Sequence, residues 1–84
     1  MAHSVEFKPH IRKEISAIPR QDRERIVKAT IALADNPRPS GCKKLKSRDA
    51  YRIRVGDYRV VYEIRDNVLV ILVVRIAHRR EAYQ

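Results

Sequence analysis

Apolar and polar positions alternate with a two-residue period through Tyr51-Arg-Ile-Arg-Val-Gly-Asp-Tyr-Arg-Val-Val-Tyr62, giving the segment one apolar face and one face of arginines. The pattern predicts two strands joined at Gly56-Asp57, a dipeptide suited to a two-residue hairpin turn. That turn would set Val55 opposite Tyr58, Arg54 opposite Arg59, Ile53 opposite Val60 and Arg52 opposite Val61. His3 to Phe7 also alternates, predicting a first strand that gives way at Pro9. Ile11, Ile15 and Ile18 then recur at helical spacing, so a helix is expected over Pro9 to Ala17, closed by Pro19. A second helix is expected over Gln21 to Asp35, with Ile26, Val27, Thr30, Ile31, Leu33 and Ala34 as its buried stripe. Asn36-Pro-Arg-Pro-Ser-Gly41 reads as a rigid, helix-ending loop.

Val68 to Val74 is apolar at every position, as a central strand buried on both faces would be. A tight turn at Asp66-Asn67 would place Arg65 opposite Val68 and Arg59 opposite Val74. In that register Val74, Ile76 and His78 share a face with Arg59. The expected fold is α+β: two N-terminal helices on one face of a four-stranded, mainly antiparallel sheet, in the order β-α-α-β-β-β. The first strand should complete the sheet along the free side of the last.

Length and charge sharpen this picture. At 84 residues the chain is expected to be a single domain spanning 1–84. No apolar run is long enough to cross a bilayer and no leader pattern precedes the first strand, so a cytoplasmic protein without a membrane partner is expected. Cys42 stands alone, which leaves no internal disulfide and argues against a cysteine metal site. The net charge of +9, from 19 basic and 10 acidic residues, calls for a polyanionic partner. Basic residues concentrate at Lys43, Lys44, Lys46, Arg48, Arg52, Arg54 and Arg59. Two arginines facing each other across a ladder cost up to about 1 kcal/mol, and a nucleic-acid phosphate would relieve that repulsion.

The run NPRPSGCKKLKSRDAYRIRVGDYRVVYEI, followed after an apolar strand by RIAHRREAY, resembles the RelE branch of the RelE/ParE toxin superfamily over nearly the whole chain. The resemblance implies a ribosome-dependent mRNA endonuclease that needs no metal or other cofactor, the toxin half of a type II toxin-antitoxin pair. Its implied partners are an acidic RelB-like antitoxin and a ribosome with mRNA in the A site; the toxin alone is expected to be monomeric. Family motifs fall on Arg52 and Arg54, on Arg59, on Arg79 and on Tyr83. Arg59 is the expected transition-state stabiliser, Arg52 and Arg54 grip the RNA backbone, and Lys43, Lys44 and Lys46 extend that basic surface. Well-known RelE toxins carry lysines at the first-strand pair, and an arginine there cannot give up a proton as a lysine can. The base for the 2′-hydroxyl is therefore expected to be Tyr83 or His78, with Arg79 near the leaving oxygen. A ParE-like toxin that inhibits DNA gyrase without cutting RNA is the alternative function.

Overall fold

The computed structural model describes residues 3–82. Its elements run β1 (Ser4–Phe7), α1 (Pro9–Ala17), α2 (Arg20–Ala32), β2 (Lys43–Lys44), β3 (Tyr51–Val55), β4 (Tyr58–Arg65), β5 (Val70–His78) and α3 (Arg79–Ala82). Proline sets both ends of α1. Pro9 opens the helix, where its missing N–H costs nothing, and Ile18, the residue before Pro19, is driven to an extended ψ of 139°. Pro19 then starts α2, because its carbonyl accepts the Arg23 N–H at 2.9 Å while Asp22 sits in the positive first turn. The second helix ends at Ala32, three residues before the expected Asp35. Residues 33–35 continue as tight turns in which Ala34 and Asp35 donate to the carbonyls three residues back. Its buried side chains are Ile26 and Thr30, followed by Leu33 just beyond the helix; Ile31, expected among them, is 60% exposed.

The sheet has five strands in the order β1-β5-β4-β3-β2. β1 pairs with β5 in parallel and the remaining ladders are antiparallel. The expected four-strand order is therefore present, with Lys43–Lys44 added as a short edge strand against Tyr51 and Arg52. One face packs on the helices: Ile53, Val60, Tyr62, Ile71, Val73 and Ile76 join Ile11, Ile26 and Leu33 in a single core. Tyr62 is buried completely, and its hydroxyl donates to the Pro37 carbonyl at 2.7 Å, tying the proline-rich loop to β4. Among the described residues, the core side chains of α1 and α2 pack on this one face of the sheet alone.

The hairpin register is as expected, with Val55 opposite Tyr58 and Arg54 opposite Arg59. The β4–β5 register is not. The connection spans residues 66–69, with Leu69 at φ 55°, so Arg65 meets Val70 rather than Val68. Further along, Tyr62 opposes Val73 while Val61 opposes Arg75, leaving Val74 as the extra residue of a β-bulge. Arg59 consequently faces Ala77, not Val74.

Candidate nucleic-acid interface

Gly56 at φ +58° followed by Asp57 at negative φ matches a type II′ turn, whose first central position favours glycine. The turn holds Arg54 and Arg59 side by side on the face opposite that core. It also receives the end of β5: the Arg79 N–H donates to the Asp57 carbonyl at 2.6 Å, and the Arg79 guanidinium lies 3.6 Å from the Asp57 carboxylate. Arg54, Gly56, Asp57, Tyr58, Arg59 and Arg79 line an open cavity of about 310 Å³. The Arg79–Asp57 pair is largely solvent-exposed, so it contributes little stability and a phosphate can readily replace the carboxylate.

Arg52 lies one row from this cavity, with Lys43 opposite it on one side and Val61 on the other. Lys44 falls opposite Tyr51 and so has the other parity; its ammonium is 3.8 Å from Asp49. Lys46 is exposed in the loop between β2 and β3, outside any ladder. His78 does not share Arg59's face. The bulge reverses the alternation beyond Val73, so His78 lies opposite Tyr58, with ring centroids 5.1 Å apart and edge to face. There it lines a separate cavity with Glu14, Ala17, Ile18, Tyr58 and Ile76, and its Nδ1 accepts the Arg80 N–H at 3.2 Å. Tyr83 lies outside the described residues.

The same reversal turns Arg75, to which simple alternation assigns no role, onto the face of Arg59, opposite Val61. Strict alternation would have buried this arginine under the helices, and that conflict was a readable sign of the bulge. Glu63, also on this face, bridges Arg65 at 2.7 Å and Arg48 at 3.0 Å. Hydrogen bonding from Arg65, and then from Arg48, holds its carboxyl below the usual carboxylate range. Among the described residues no three His, Cys, Asp or Glu side chains come together as a metal-ligand group, and no helix is long and apolar enough to cross a membrane.

A family model described as the ParE toxin of type II toxin-antitoxin systems matches residues 4–83. The chain belongs to the RelE/ParE toxin superfamily. Its relatives point to the RelE branch. An Escherichia coli RelE variant, solved with an antitoxin RelBc peptide, is 30% identical, with coverage of 99% of this chain and 92% of its own and a TM-score of 0.80. RelE from a Pyrococcus horikoshii RelE–RelB complex is 27% identical, covering 94% and 97%, with a TM-score of 0.84. A curated Methanocaldococcus jannaschii protein whose name includes "toxin RelE1" is 28% identical over 88 residues, covering 100% of this chain and 98% of its own. The expected α+β class and RelE-type membership are thus borne out, and this chain is a type II toxin of the RelE family.

Proposed function

We propose that this toxin is a ribosome-dependent endonuclease that cuts mRNA in the A site, and that an acidic RelB-like antitoxin neutralises it. The reading rests on one observation above others: Arg54 and Arg59 from the hairpin and Arg79 from the end of the chain surround one open cavity. In the proposed reaction the 2′-oxygen attacks the adjacent phosphorus and the 5′-oxygen departs with a proton, leaving a 2′,3′-cyclic phosphate. Arg59 stabilises the charge that develops on the phosphoryl oxygens, Arg54 and Arg52 hold the backbone, and Arg79 lies beside the leaving oxygen. The turn of His78 to the helical face leaves Tyr83 as the preferred base for the 2′-hydroxyl. An antitoxin partner is in keeping with the solved RelE–RelB complex of the Pyrococcus relative and with this chain's net charge of +9.

Primer extension on a reporter messenger after induction tests the reading. Cuts within codons that require translating ribosomes, and that fall by about 10²- to 10³-fold in Arg59→Ala, are the expected result. DNA damage with intact messenger would instead establish the gyrase-directed alternative.

A further inference from the structure

β5 presents an arginine to solvent because Val74 is an unpaired, extra residue. Before the bulge Ile71 and Val73 face the helices; after it Ile76 does, and Arg75 points away. In an unbulged strand the Arg75 guanidinium would be pushed beneath the helical layer, at a cost no ion pair there would offset. The register then sets Lys43, Arg52, Val61 and Arg75 in one row, next to the row of Arg54, Arg59 and Ala77.

Arg52 and Arg75 are separated by two strand spacings, about 9.6 Å, so their long side chains can meet on one anion above half-buried Val61. The two rows are about 6.7 Å apart along the strands, comparable with the spacing of successive phosphates on an extended RNA strand. Three neighbouring acids are already engaged: Glu63 with Arg48 and Arg65, Asp57 with Arg79, Asp49 with Lys44. No ion pair among the described residues involves Arg52, Arg54 or Arg75.

We infer that Arg75, with Arg52 and Lys43, forms a second phosphate subsite that holds the linkage next to the one in the Arg54–Arg59–Arg79 cavity. The identity of the strand as RNA rests on the nuclease reading. RNA is favoured over an acidic peptide because the row lies directly beside the row that lines that cavity, so one polyphosphate strand crossing the two rows covers both, and because guanidinium forks match phosphate oxygens in pairs.

The test uses a short 2′-O-methyl RNA, which cannot be cut, and the full chain. Arg75→Ala should weaken binding roughly tenfold, as loss of one charge-assisted contact does, and should flatten the salt dependence of log K by about 0.7. Arg75→Lys should recover part of the affinity. A single neutral methylphosphonate, moved along the oligonucleotide, should weaken wild type most at one linkage and weaken Arg75→Ala there by clearly less. On mRNA-programmed ribosomes KM should rise with kcat within about twofold, the mark of lost ground-state binding. Unchanged RNA affinity and salt slope at an unchanged melting temperature would overturn the subsite, as would a loss confined to an acidic antitoxin peptide. If wild type binds the oligonucleotide as described yet leaves ribosome-bound messenger intact, the nuclease reading fails while the subsite stands.

Discussion

Replacing Tyr62 with phenylalanine removes one oxygen from a completely buried side chain and breaks the 2.7 Å hydrogen bond to the Pro37 carbonyl. The ring keeps its packing, including its stacking on Tyr51 at 6.1 Å. The loss is therefore the hydrogen bond and the stranding of a carbonyl, about 1–2 kcal/mol. At about 4–8 °C per kcal/mol for a domain of this size, the melting midpoint should fall by roughly 4–16 °C. The difference should also depend on pH. Burial first, and the neighbouring Cys42 thiol second, push the Tyr62 phenol well above its ordinary value. A group whose folded pKa is raised contributes stability that is complete below its unfolded pKa, here about 10, and lost above it. Wild type alone should thus lose an extra ~1.4 kcal/mol per pH unit above pH 10 or so, and its advantage over Tyr62→Phe should shrink there. Thermal unfolding of both proteins at neutral and alkaline pH measures this. A midpoint difference below about 2 °C, or a gap that does not change with alkalinity, would show that the hydroxyl does not anchor the loop.

Glu63→Gln should lower stability at neutral pH by less than about 1 kcal/mol, because its two arginine partners are half exposed. The folded-state carboxyl titrates below its unfolded value, so this difference should persist above about pH 4.3 and vanish as the pH falls further, which paired urea titrations would detect. Gly56→Ala should cost about 1–2 kcal/mol, since φ +58° strains any residue with a β-carbon. The added methyl meets the Arg25 guanidinium only at ordinary contact distance, 3.6 Å, so Gly56→Asn, which tolerates this backbone, should melt above the alanine variant.

Where one periodicity operated without interruption, the sequence was enough. The arginine and apolar faces of residues 51–62, pinned at Gly56-Asp57, specify the hairpin pairing because a one-residue slip would expose Ile53 and Val60. The β4–β5 ladder had no such constraint. Val70 to Val74 is apolar throughout, so nothing in the pattern marks which valine is skipped, and the skipped one decides the faces of Arg75 and His78. The turn before it is hidden for a related reason: Asp66-Asn67 resembles a two-residue hairpin, whereas the chain uses Leu69, a residue that seldom adopts positive φ, to extend the loop. Two residues sufficed for β2, too few to register as a period. Ile31 fits the apolar spacing of the stripe, yet the helix turns it outward between Thr30 and Ala32, near its end.

Because β1 lies alongside β5, Ser4 meets Val70 only after the 65 residues between them have been made. A nascent chain emerging in order can fold its helices and its central hairpin, but its first strand waits without a neighbour until the last strand is available. Arg79 reaches the Asp57 carbonyl through that same late strand. A partly synthesised copy therefore carries the hairpin arginines without the third side of their cavity, and a premature stop before residue 70 should yield a polypeptide unable to close the sheet.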